Sequence, residues 1–90
     1  QYIPKERIKI ILENSFKNST VKFQRTHITT FKNDYYQIEY FIKSPKEFYR
    51  WIKRLNSLDL CLTFAKDIKF QKVGTRVKVS IVVVVSQIYK

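Results

Sequence analysis

Two stretches of the chain repeat apolar residues at helical spacing, and each is followed by two runs in which apolar and polar residues alternate. In "SPKEFYRWIKRLN", from Ser44, the residues Phe48, Trp51, Ile52 and Leu55 stand at i, i+3, i+4 and i+7, one stripe on a helix of about three turns. Lys46, Arg50, Lys53 and Arg54 fall off that stripe. Ser44, Pro45 and Glu47 take the N-cap, N1 and N3 places of a capping box, in which the Ser oxygen accepts from the N3 amide and the Glu reaches back to the cap amide. "IPKERIKIILEN" begins 41 positions earlier and carries the same Pro-Lys-Glu. Its stripe is Ile8, Ile11, Leu12 and Phe16, and Asn18-Ser19 ends it, but Ile3 stands where a capping Ser would.

The alternating runs read as strands. After the first helix they span Thr20 to about Thr29 and Tyr35 to Ile42, with Asn33-Asp34 as the turn, a pair that tolerates positive φ. Val21 and Phe23 share one face against Lys22 and Gln24; Tyr36, Ile38, Tyr40 and Ile42 share one against Tyr35, Gln37, Glu39 and Phe41. After the second helix the runs span Asp59 to about Phe70 and Arg76 to Ile88. Leu60, Leu62 and Phe64 alternate with Cys61, Thr63 and Ala65, and the turn is Val73-Gly74-Thr75, where the only glycine is free to take φ > 0. Val77, Val79, Ile81, Val83 and Val85 then hold one face; Lys78 and Ser80 begin the other, and Val82 and Val84 finish it.

The chain is therefore read as two α-β-β units in tandem, about residues 4–43 and 44–88, within one domain spanning 1–90. Two units are too few for a solenoid, so they must close on each other. The element order predicts an α+β, ferredoxin-like fold with its first strand moved to the end: two helices on one face of a four-stranded sheet, strand order 3-4-2-1. Its expected core is Ile8, Ile11, Leu12, Phe16, Val21, Phe23, Ile38, Tyr40, Phe48, Trp51, Ile52, Leu55, Leu60, Leu62, Phe64, Val79 and Ile81. Arg25, Lys66 and Lys69 suit protected sheet edges. The opposite sheet face is left uncovered, and Lys22, Tyr35, Gln37, Phe41, Lys78, Val82 and Val84 are the candidate partner-binding residues upon it.

Composition narrows the choice of function. With 44% apolar residues, 16% aromatics, one Gly and two Pro in 90 residues, the chain can bury a core and is mostly regular structure. A net charge of +11 invites a nucleic acid or an acidic surface as partner, although the cations form no dense run. Cys61 and His27, one of each, are read as plain strand residues: there is no internal disulfide and no metal-ligand spacing, so no metal or other cofactor is expected. The seven carboxylates show no pairing, and no phosphate loop or nucleophile motif is present, so no catalytic residue is nominated and the chain is read as a non-enzyme. It begins at Gln1 and holds no Met, which suggests a piece excised from a longer chain, or a processed one.

The stretch "SPKEFYRWIKRLNSLDLCLTFAKDIKFQKVGTRVKVSIVVVVSQI" resembles the C-terminal part of PilO-type and GspM-type proteins, the inner-membrane assembly-platform components of type IV pili and type II secretion systems. The likeness lies in a striped helix, a strand, a turn and a Val-rich last strand. It covers about residues 44–88 in sequence texture and the whole chain in architecture. It implies a periplasmic, ferredoxin-like domain behind an N-terminal transmembrane anchor, and a scaffolding role through homodimers or through heterodimers with a similar platform protein. The alternative is a cytoplasmic nucleic-acid-binding domain that uses the open sheet face, with Tyr35 and Phe41 stacking bases and Lys22, Lys78 and Arg76 near the phosphates.

Overall fold

The computed structural model describes residues 3–57 and 62–88. The elements run α1 (Lys5–Ser15), β1 (Thr20–Ile28), β2 (Phe31–Ile42), α2 (Pro45–Asn56), β3 (Leu62–Val73) and β4 (Arg76–Ile88). The expected strand start at Asp59, the core place of Leu60 and the strand place of Cys61 lie outside the described residues.

The helix ends show how local chemistry sets the boundaries. At α2, Ser44 is extended as an N-cap should be, yet its hydroxyl caps nothing. The Glu47 carboxylate instead accepts from the Lys43 amide at 3.1 Å, so half of the capping box forms, and one residue upstream of the expected amide. α1 has no side-chain cap, and its N-cap is Pro4, one residue beyond the Ile3 expected there. Asn18 follows α1 at φ 64°, a left-handed position that asparagine tolerates and that stops a helix. The Arg54 guanidinium donates to the Ser15 carbonyl at 2.8 Å, tying α2 to one of the carbonyls that α1 leaves unpaired.

The sheet has four strands in the order β1-β2-β4-β3, with every neighbouring pair antiparallel. Both helices lie on one side of it. Tyr36 and Tyr40 share the even-numbered side of β2; the Tyr36 hydroxyl donates to the Lys5 carbonyl at 3.2 Å, and Tyr40 stacks on Trp51. The core gathers there: Ile8 and Leu12 from α1 and Phe16 at its C-cap, Leu55 from α2, and Val21, Tyr36, Ile38, Tyr40, Ile42, Val79, Ile81, Val83 and Val85 from the sheet. Trp51 sits between Phe16, at 4.7 Å between ring centroids, and Tyr40, at 4.3 Å, with planes 16° and 22° apart. This three-ring stack joins both helices to β2. Tyr40 is only 2% exposed and its hydroxyl has no hydrogen-bond partner among the described residues, and burial pushes its pKa up to about 12.

The expected ferredoxin-like sandwich, its strands written 3-4-2-1, is corrected to what forms: an α+β molecule with an antiparallel sheet, ordered β1-β2-β4-β3, that its helices cover only in part. Helices of 11 and 12 residues are about 17 Å long, whereas the 13 residues of β4 extend about 43 Å. β3 contains no buried residue, and β1 is exposed from Gln24 onward.

Four finer expectations also change. The first hairpin turns at Thr29-Thr30, not at Asn33-Asp34, which lie within β2 opposite His27 and Thr26. The second hairpin does turn at Gly74, with φ +63°. The helix starts, Lys5 and Pro45, are thus 40 residues apart rather than 41, and the hairpin turns are further apart still, so the two units coincide only in element order. Leu62 and Phe64, expected in the core, are 60% and 50% exposed, because they pair with Ser86 and Val84 on the uncovered side. Ile52 is only half-buried and lies outside the core cluster.

The cause of the β3 reversal is a bulge. Between Lys66 and Lys69 the strand spends three residues where β4 spends two, and Asp67 takes φ 51°. Side chains before and after the bulge therefore change faces, and Phe70 turns to the helix side while Phe64 does not. β1 has its own bulge between Phe23 and Arg25.

Candidate interaction surface on the uncovered sheet face

Cross-strand register fixes who stands beside whom on the uncovered face. Written from β1 to β3, one row is His27, Asn33, Ser86 and Leu62; the next is Arg25, Tyr35, Val84 and Phe64. Then come Lys22, Gln37, Val82 and Lys66, followed by Thr20, Glu39, Ser80 and Lys69. Phe41, Lys78 and Gln71 follow, and Arg76 with Val73 closes the face; Phe31 opposite Ile88 opens it at the other end. All seven nominated residues, Lys22, Tyr35, Gln37, Phe41, Lys78, Val82 and Val84, thus share this face. Lys22 and Phe41 are exposed, and Tyr35, Gln37, Lys78 and Val82 are half-buried. Val84 is 1% exposed between Tyr35 and Phe64, so it floors the surface and meets no partner directly.

The rows divide the face into two halves of different chemistry. At one end Phe31, Leu62, Phe64 and Ile88 stand 38%, 60%, 50% and 68% exposed. At the other, Lys22, Lys66, Lys69, Arg76 and Lys78 are interspersed with Glu39 and Asp67. Glu39 holds Lys78 at 3.5 Å, Asp67 holds Lys66 at 3.9 Å, and the Gln37 amide donates to the Ser80 hydroxyl at 3.1 Å. A shallow groove of about 460 Å³ lies over the middle rows, lined by Arg25, Tyr35, Gln37, Lys66 and Lys69 among others.

The aromatic rings here are not bare platforms. The Arg25 guanidinium carbon lies 3.9 Å from the Tyr35 ring centroid, with the Lys66 ammonium 5.5 Å from it, and Arg76 lies 4.4 Å from that of Phe41. A base reaching Tyr35 or Phe41 would stack on a guanidinium or displace it. Of the residues that count most here, the sequence reading placed Leu62 and Phe64 in the core, and gave Arg25, Lys66 and Lys69 to the edges alone. The aspartate inside the strand-like run "FAKDIKF" is the one local signal for the bulge that moves them, since Asp tolerates the left-handed region.

The polar pair misread as a turn does a different task on β2. Asp34 is fully buried on the helix side, accepting from the Thr26 hydroxyl at 2.6 Å with the Lys32 ammonium 3.9 Å away. Asn33 on the other side accepts from the Ser86 hydroxyl and donates to the His27 carbonyl at 3.0 Å. The Gln87 side chain meets Ile3 twice, accepting from its amide at 2.7 Å and donating to its carbonyl at 2.8 Å. Together these bonds hold β1, β4 and the entry to α1 at one end of the sheet.

Among the described residues, no three His, Cys, Asp or Glu side chains are grouped so as to hold a metal ion, and no helix is long and apolar enough to cross a membrane. No protein-family model matches the chain, nor does any curated protein or solved structure.

Proposed function

We propose that this domain is a non-catalytic interaction module that pairs the apolar half of its uncovered sheet face with a second copy of itself. The observation that carries this is the cluster of Phe31, Leu62, Phe64 and Ile88, large apolar side chains left exposed together on one end of a sheet face. Charge is compatible with it. In a two-fold contact over that half, the two basic halves point away from each other along the strands, which limits repulsion between copies of charge +11. The available area sets the strength. The molecule measures 47 by 21 Å along its two longer axes, so half a face offers about 500 Å² per copy, below the roughly 800 Å² per partner of a standard stable interface. Association at micromolar or weaker affinity follows, of the kind that tethering strengthens by raising effective concentration.

The resemblance to PilO-type and GspM-type proteins supplies a setting in which such tethering exists: an inner-membrane pilus or secretion platform, with an N-terminal anchor, this domain on the periplasmic side, and a similar platform protein as a second partner. That setting rests on sequence texture alone. A second reading, single-stranded nucleic acid bound in the cytoplasm, draws on the cations of the same face, with guanidinium groups over Tyr35 and Phe41.

Sedimentation and oligonucleotide anisotropy near physiological salt separate the two. Self-association should rise with concentration and disappear in Phe64→Glu. Oligonucleotide binding should be weak, and nearly unchanged in Tyr35→Ala with Phe41→Ala. A molecule monomeric at millimolar concentration refutes self-pairing. A loss of roughly 2 kcal/mol or more of oligonucleotide binding in the double variant establishes the nucleic-acid reading instead.

A further inference from the structure

A second surface lies on the helix side, where β2 passes into α2. The β3 bulge turns Phe70 toward this side, beyond the reach of α1, and Phe48 meets it edge-on at 5.1 Å and 67°. Tyr49 stands against Phe48 at 6.0 Å and 60°. Between these rings runs a groove of about 560 Å³, lined by Ile42, Lys43, Phe48, Tyr49, Phe70 and Val77. Tyr49 and Phe70 are 70% and 56% exposed, so the groove is open and apolar.

Its rim is basic. Lys43 lines it, Lys46 stands exposed in the first turn of α2, and Lys72 pairs across the sheet with the lining residue Val77. Glu47, the acid in that turn, is already engaged by the Lys43 amide. A second copy of the chain would set lysines against lysines here. Rings that meet at 60° and 67° make a slot with edges in it rather than parallel platforms for bases. Charge complementarity selects a chain that is apolar at one position and acidic on both sides of it.

We propose that this groove docks a short acidic peptide segment, whose apolar side chain enters between Phe48, Tyr49 and Phe70 while its carboxylates face Lys43, Lys46 and Lys72. This surface is separate from the uncovered sheet face and does not depend on the pairing proposed there.

The probe is a fluorescein-labelled ten-residue peptide alternating Glu pairs with Leu or Phe, titrated by anisotropy at physiological salt. An all-Glu peptide and an oligothymidylate of ten nucleotides serve as comparisons. The mixed peptide should bind more tightly than either. Tyr49→Glu, a change at a mostly exposed position, and Lys43→Glu with Lys72→Glu should each weaken it about tenfold or more, with unchanged circular dichroism. Phe64→Glu, on the opposite face, should leave it unaltered. Equal binding of the all-Glu peptide, indifference to both groove variants, or tighter oligothymidylate binding that Tyr49→Glu abolishes would each overturn the proposal.

Discussion

Removing Trp51 should cost more than removing any other half-buried side chain, because its ring is the middle member of a stack that spans three elements. Phe16, at the C-cap of α1, lies on one side and Tyr40 of β2 on the other, at 4.7 and 4.3 Å. A buried aromatic removes about 150–250 Å² from water. Trp51 is half-buried, so about 120 Å² is a fair share, or about 3 kcal/mol at roughly 25 cal/mol per Å². Each ring pair adds about 0.5–1.5 kcal/mol. With some double counting between area and ring pairing, Trp51→Ala should lose about 4 kcal/mol, a large part of the roughly 5–15 kcal/mol that holds a small domain folded. Trp51→Phe keeps a ring in the stack and should recover at least half of that. Urea unfolding followed by far-ultraviolet circular dichroism is the assay, since the variant removes the only tryptophan. A loss under about 1.5 kcal/mol in Trp51→Ala would refute the reasoning, because the stack would then contribute less than its area alone.

Two other outcomes follow from groups at the same helix–sheet layer. Ser44→Ala should change the thermal midpoint little, since its hydroxyl caps nothing, whereas Glu47→Ala should cost about 1 kcal/mol by releasing the Lys43 amide; equal midpoints for the two variants would show the opposite. Tyr40 titrates higher in the folded state than in the unfolded one, so its contribution is complete below about pH 10 and is lost as pH rises from there through about 12. Stability measured from pH 9 to 12 should fall more steeply in the wild type than in Tyr40→Phe, and parallel curves would show that burial does not disfavour the phenolate.

Element order, the start of α2, that of α1 to within a residue, and the Gly74 turn were legible in the sequence because each rests on short-range chemistry: helical spacing, a proline at a helix start, a lone glycine. The core was legible wherever a strand kept strict period two, as in β2 and β4. It failed in β3, where one additional residue at Asp67 reverses the faces; counting by twos carries Phe64 and Phe70 to the same side, and the bulge separates them. Asn33-Asp34 misled for a related reason. A polar pair reads as a turn when its partners are unknown, and here those partners, Thr26 and Ser86, come from strands on either side. The seven open-face residues were found, since they belong largely to the regular strands. The apolar end of that face was missed, since half of it comes from β3.

The two bulges also determine how an assembly of this domain can grow. β1 and β3 are the sheet's outer strands, and each is interrupted, between Phe23 and Arg25 and between Lys66 and Lys69. A strand added alongside would find the row of amides and carbonyls out of step partway along, with cations at that point, Arg25 on β1 and Lys66 and Lys69 on β3. Lateral addition of sheet to sheet, the step that lengthens a fibril without limit, is thereby discouraged at both margins. Contacts made on a face are exhausted once the face is filled. A concentrated solution of this protein should therefore reach a plateau in particle size instead of passing from dimers to filaments.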